Sequence, residues 1–187
     1  MRTAAELFVE NGYENTSVKM ISDKLKMNVA GIYYYFKNKE TLLFEFLEQQ
    51  ILFLLERTRK AVLEAGDRPR DQLAGFVREH TLVQTEIIAS SSAYSMKTLA
   101  LGQTTDAYLK RLNALEHENL DDLRRILELG QAAGEFDVAD VTATAFGVLG
   151  IVEHVNHWFR PGQRLSATDI AEMNARFALR LVGVRDA

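Results

Sequence analysis

The stretch from Asn15 to Glu40, NTSVKMISDKLKMNVAGIYYYFKNKE, holds the chain's densest set of groups able to meet a phosphate or a base edge. From Asn15 to Lys39, five lysines (Lys19, Lys24, Lys26, Lys37 and Lys39) face one acid, Asp23. Lys39 stands where a helical pattern begins, so its ammonium and the free N–H groups of that helix start could hold a phosphate together. The hydroxyls of Thr16 and Ser17 precede another helical pattern and offer the same chemistry. Tyr33, Tyr34 and Tyr35 occupy successive helical positions, so they cannot all be core. An outward phenol can hydrogen-bond phosphate or pack on a thymine methyl. Lys19, Asn28, Val29, Ala30 and Gly31 are the candidate base-facing positions. Small Ala30 and Gly31 let the backbone approach a groove closely, so readout leans on van der Waals contact and DNA shape. Asn28 also fits a helix cap, and Lys24 and Lys26 fit solvated charges.

A second set of groups interrupts the apolar pattern further along: Tyr94, Met96, Tyr108, Arg111, His117, His154 and Trp158. These are the candidate ligand-binding residues, because a pocket needs a few polar groups among apolar walls. His154 and His157 stand three apart beside Glu153, but no third ligand is identifiable, so no metal is expected. There is no cysteine, no Gly-x-Ser-x-Gly, no Glu-x-x-His pair and no phosphate loop. An enzyme is therefore not expected, and neither is a cofactor.

The elements that must position these groups read as helices. Ala4, Leu7 and Phe8 recur at helical spacing up to Gly12, and the chain opens in mid-pattern. Thr16 or Ser17 caps a helix over Val18–Leu25, Lys26-Met27 is the turn, and Asn28 caps a helix over Val29–Tyr35. That pair reads as a helix-turn-helix, whose second helix enters the DNA major groove. Asn38 caps a long helix from Lys39 to about Leu63, with Leu42, Leu43, Phe46, Leu47, Ile51, Leu54 and Leu55 in period. The run from Glu64 to Pro69 breaks it. Helices are then expected from Arg70 to about Ala89, briefly up to Leu101, from Thr105 to about Gly130, from about Val138 to Phe159, and from Ser166 to about Val184. The Val138–Phe159 stretch has almost no polar face. Ala143, Gly147, Gly150 and Ile151 on it, with Phe177 and Leu181 on the last helix, are the candidate dimer interface, because small residues allow close helix approach.

The fold expected is all-α, with about nine helices. A helix-turn-helix DNA-binding domain over 1–45 precedes a larger helical ligand-binding and dimerisation domain over 46–187. Apolar residues make up 47% of the 187, enough for a sizeable core. The net charge of −4 is weak for a nucleic-acid binder, but its distribution is a basic head on an acidic body. No apolar run nears the ~20 residues that span a bilayer. No signal peptide is visible either, so a cytoplasmic protein with no membrane partner is expected.

The residues Ala4, Leu7, Phe8, Gly12 and Tyr13, then Thr16 and Ser17, then Ile32-Tyr33-Tyr34-Tyr35-Phe36, then Lys39-Glu40 with Leu42-Leu43, resemble the N-terminal signature of the TetR family of bacterial transcriptional regulators. The match covers roughly the first 45 residues. Three departures stand out. The chain opens inside the family's first helix, so no contact from a basic arm is assigned; Lys26 occupies a turn position that is often Gly; and Val29 and Gly31 stand where the recognition helix often has polar residues. The segment from His157 to Ser166 is similar to one in TetR-type regulators of fatty-acid and sterol degradation, some of which release DNA on binding acyl-CoA thioesters. The resemblance implies a homodimeric repressor on a double-stranded DNA operator, released by a small-molecule effector of the acyl-CoA class. Arg111, Arg160 and Arg164 are then candidates to meet a CoA moiety. The competing reading is a dimeric ligand- or protein-binding module of the same fold without specific DNA binding.

Overall fold

The computed structural model describes residues 2–89 and 106–184. Among them are helices α1 (Arg2–Asn11), α2 (Val18–Leu25), α3 (Val29–Tyr35), α4 (Lys39–Glu64), α5 (Pro69–Ala89), α6 (Asp106–Ala132), α7 (Val141–Glu153), α8 (Val155–Trp158) and α9 (Ala167–Leu181), with no strand. The helix expected before Leu101 lies outside the described residues, as do Tyr94 and Met96.

The chain divides into two compact units, Met1–Leu52 with Ser90–Leu115, and Phe53–Ala89 with Glu116–Ala187. The first is built on an apolar cluster in which Leu7, Phe8, Ile21 and Ile32 meet Leu43, Phe46 and Leu47 of α4. It extends past the boundary expected at residue 45 because α4 runs on without a break. It also includes the start of α6, where the Tyr108 ring stacks on Phe44 at 4.1 Å and Leu112 is buried in the same cluster.

The second unit has a core of α5, α6, α7 and α9 side chains, among them Leu73, Phe76, Val77, Leu123, Leu127, Val148, Val152 and Ala178. Helix α5 packs most extensively against α9. Its first residue, Pro69, suits a helix start, where the missing N–H has no intrahelical partner. At the end of α6, a Cβ on Gly130 would lie 2.0 Å from Phe136, so only glycine lets that ring close over the helix. The expected Val138–Phe159 helix is shorter and divided. Asp140 caps it by accepting the Ala143 N–H, and it breaks at His154, beyond which α8 is a single turn. Ser166 and Asp169 form a capping box at α9.

Candidate nucleic-acid interface

The helix pair is set by local side-chain chemistry. Ser17 Oγ accepts the Met20 N–H at 3.1 Å and so starts α2. Lys26 ends it with φ 53°, the left-handed region. Two carbonyls are satisfied there: the Lys26 N–H bonds Asp23 O, and the Met27 N–H bonds Ser22 O. Asn28 Oδ1 accepts the Gly31 N–H at 2.5 Å to start α3. A Cβ on Gly31 would sit 2.9 Å from that same oxygen, so glycine keeps the cap intact. The Oδ1 of Asn28 is thus engaged, while its NH2 group remains a donor.

The outward face carries the tyrosines. Tyr33, Tyr34 and Tyr35 are 51%, 82% and 68% exposed, and the Tyr34 and Tyr35 rings meet edge to face at 5.1 Å. Ser17, Lys19, Asn28 and Ala30 are exposed, while Val29 and Gly31 are half-buried. Met20, Leu25 and Met27 are also exposed apolar groups on this pair. The sequence offered a signal for Met20, which falls off the Val18–Ile21 edge, but none for Leu25, which shares that edge's period.

Thr16 is a correction. It is buried, and its hydroxyl is within hydrogen-bond distance of Gly12 O at 2.8 Å and Leu7 O at 3.0 Å. It ties α1 to the loop before α2 and cannot reach a phosphate with its side chain. Of the two neighbouring hydroxyls, only Ser17 faces outward. Lys39 is also drawn inward. Its ammonium donates to Tyr13 O at 2.7 Å and lies 4.1 Å from the centre of the Tyr13 ring. Burial, followed by the charges of Glu40 and Glu14, pushes the Tyr13 phenol up. The start of α4 is capped instead by Asn38, whose Oδ1 accepts the Thr41 N–H at 2.7 Å.

The candidate ligand residues among the described ones have separate surroundings. Tyr108 packs in the N-terminal unit and shares a hydrogen bond with Thr41 at 3.2 Å. Arg111 pairs with Glu48 at 2.7 Å. His117, His154 and Trp158 are exposed. The His154 and His157 rings lie 4.9 Å apart, and no group of three metal-binding side chains occurs among the described residues. A cleft of about 330 Å³ lies elsewhere in the second unit, lined by Val62, Leu63, Phe76, Ile126 and Leu129, with Arg59 and Arg125 also on its walls. None of the expected ligand residues among the described ones lines it. Its lining residues keep the helical period of the core, so sequence periodicity cannot single them out.

On α7, Ala145, Val148, Leu149 and Val152 are buried. The opposite stripe of Ala143, Phe146, Gly147 and Gly150 is exposed, and Ile151 is half-buried. On α9, Phe177 and Leu181 are exposed. A Cβ on Gly147 would lie 3.2 Å from Leu181 Cδ2, so the two stripes are adjacent.

Two family profiles match this arrangement. Residues 1–46 match the bacterial regulatory proteins of the tetR family, and residues 66–182 match the tetracyclin repressor-like C-terminal domain. The chain belongs to the TetR family. It is 26% identical over 188 residues to the fatty acid metabolism regulator protein of Bacillus subtilis (strain 168), covering 98% of this chain and 92% of that one. The TetR regulator PfmR from Thermus thermophilus superposes with a TM-score of 0.81 at 28% identity, covering 96% of each chain. AibR in complex with isovaleryl coenzyme A and operator DNA gives 0.79 at 27%, covering 94% of each. TetR members are transcriptional regulators rather than enzymes, and this chain is a TetR-type regulator. No helix among the described residues is long and apolar enough to cross a membrane.

Proposed function

We propose that the protein is a homodimeric repressor that binds a two-fold-symmetric operator and is released by an acyl-CoA thioester. The observation that carries the DNA side is the α2–α3 pair, which presents Ser17, Lys19, Asn28 and the three tyrosines on its outside while Ile21 and Ile32 anchor it to the core. Phosphate contacts from Ser17, Lys19, Tyr33, Tyr34 and Tyr35 position the head. Asn28, Val29, Ala30 and Gly31, with Met20 and Met27 beside them, meet base edges and thymine methyls. Lys39 has already committed donors to Tyr13 and Glu14 carbonyls, so it contributes at most its remaining N–H.

One such head makes few contacts. Two of them, about 34–36 Å apart on a dimer, match successive major-groove turns. The adjacent exposed stripes of α7 and α9 support a four-helix seam between two copies. The acyl-CoA reading is supported by the isovaleryl coenzyme A and operator DNA named for AibR and by the similarity to a fatty acid metabolism regulator. The cytoplasm, where DNA and CoA thioesters both occur, is the compartment this reading requires.

Selection from a random duplex library tests it, followed by gel shifts of the enriched site with isovaleryl-, octanoyl- and stearoyl-CoA. An inverted repeat that is released by a thioester is expected, with Tyr33→Ala weakening the shift. Failure to enrich any motif would instead favour a module of this fold without specific DNA binding.

A further inference from the structure

The second unit contains a chain of polar side chains that runs inward to His80. Asn156 Nδ2 donates to Gln84 Oε1 at 2.9 Å, and Gln84 Nε2 lies 3.2 Å from His80 Nε2. With the Gln84 amide nitrogen turned toward it, His80 Nε2 accepts. A neutral imidazole carries one N–H, which places it on Nδ1. His80 has no exposed surface, and its Nδ1 finds no partner among the described residues. A buried donor left this way costs about 1–3 kcal/mol, so the site favours any guest that supplies an acceptor.

The route to it lies along α5. Gln72, Phe76 and His80 are four apart, on one stripe of the helix. Gln72 and Phe76 line the cleft. The Phe76 ring then meets the His80 ring edge to face, 5.7 Å between centres. Phe76 therefore belongs to the cleft wall and also meets the His80 ring. The guest's acceptor must be neutral. A carboxylate taken into this apolar surround would lose several kcal/mol of hydration against a single neutral donor, whereas a thioester, ester or ketone oxygen loses far less. At about 330 Å³ the cleft is at the small end of ligand pockets, which suits a short or medium chain.

We propose that His80 Nδ1–H fixes the carbonyl oxygen of an uncharged acyl group that enters through the α4–α5–α6 cleft, with the Phe76 side chain turning aside to admit it. This assignment rests on the ligand-responsive reading above. Calorimetric titration of the full-length protein with octanoyl-CoA and with octanoate tests it, together with ¹⁵N spectra of the histidine rings. Octanoyl-CoA should bind at least tenfold more tightly than octanoate. His80→Phe should lower octanoyl-CoA affinity roughly tenfold or more, one charge-free hydrogen bond's share. His80→Asn, whose amide nitrogen takes the Nδ1 position, should recover part of the loss. The Nδ1–H tautomer should be present without ligand, and its proton should shift when octanoyl-CoA is added. Equal affinities in wild type and His80→Phe, or an Nε2–H tautomer, would overturn this assignment alone. Wild type that binds none of isovaleryl-, octanoyl- and stearoyl-CoA would overturn it together with the reading it rests on.

Discussion

His80 makes the stability of the second unit depend on pH in a way that can be worked out. Burial pushes its pKa from 6.5 down to about 4. The unfolded chain takes up a proton near the ordinary value, while the folded chain refuses it until far lower pH. The contribution is therefore intact above the unfolded pKa and is lost as pH falls through the interval to the folded one. The full loss is on the order of 3 kcal/mol, and about 2 kcal/mol of it falls between about pH 7 and pH 5. The chain's carboxylates and other histidines also titrate, so the quantity to measure is a difference. Urea unfolding of wild type and His80→Phe at the two pH values should show wild type losing about 2 kcal/mol more than the variant, with unchanged m-values. Equal losses in the two proteins, or a His80 ring titrating near its ordinary pKa by NMR, would refute the burial argument.

Three further outcomes follow from the packing. Lys26→Gly relieves a left-handed lysine and should stabilise the protein by about 0.5–1 kcal/mol in thermal unfolding; a loss would mean the Lys26 side chain contributes more than the strain costs. Thr16→Val removes a buried hydroxyl that holds Gly12 and Leu7 carbonyls, and should cost about 1 kcal/mol of stability. The salt dependence of DNA binding should stay the same, whereas a shallower slope would restore Thr16 as a phosphate contact. Phe146→Asp with Leu181→Asp places two charges on the exposed α7–α9 stripe and should leave monomers in sedimentation velocity, with operator affinity falling as the paired heads separate. A dimer that survives both changes would move the seam elsewhere.

The helix starts were legible because capping is local. Ser17, Asn28, Asn38, Asp140 and Ser166 each act on an N–H three residues ahead, and that pattern is visible without knowing the fold. The left-handed turn at Lys26 was legible only through the family resemblance, in which that turn position is often Gly. Orientation was less so. Thr16 and Ser17 are adjacent hydroxyls, and only the packing of α1 decides which one turns inward. Lys39 reads as a free cation because the carbonyls that hold it belong to Tyr13 and Glu14, some 25 residues earlier. The break at His154 has neither glycine nor proline to mark it. The cleft was hidden because Val62, Phe76 and Ile126 obey the core's own period, and His80 because nothing beside it in sequence shows that Gln84 and Asn156 fix its tautomer. Candidate groups exposed on the head were therefore more legible than those inside the second unit.

In the proposed ligand-released repressor, α4 is the candidate link between DNA and ligand. Its first turns belong to the cluster that anchors α2 and α3, and Thr58, Arg59, Val62 and Leu63 on its later turns line the cleft. Between Lys39 and Glu64 it has no glycine or proline, the usual causes of a kink. Later on the same helix, Arg59 pairs with Glu118 and Asp122 of α6. Such a device works only by differential affinity. To weaken operator binding a hundredfold, the thioester must prefer the released arrangement by about 2.8 kcal/mol, and operator DNA must weaken thioester binding by the same factor. Thioester titrations with and without saturating operator measure that equality directly. Thioester affinity left unchanged by saturating operator would mean that the two ligands are not coupled.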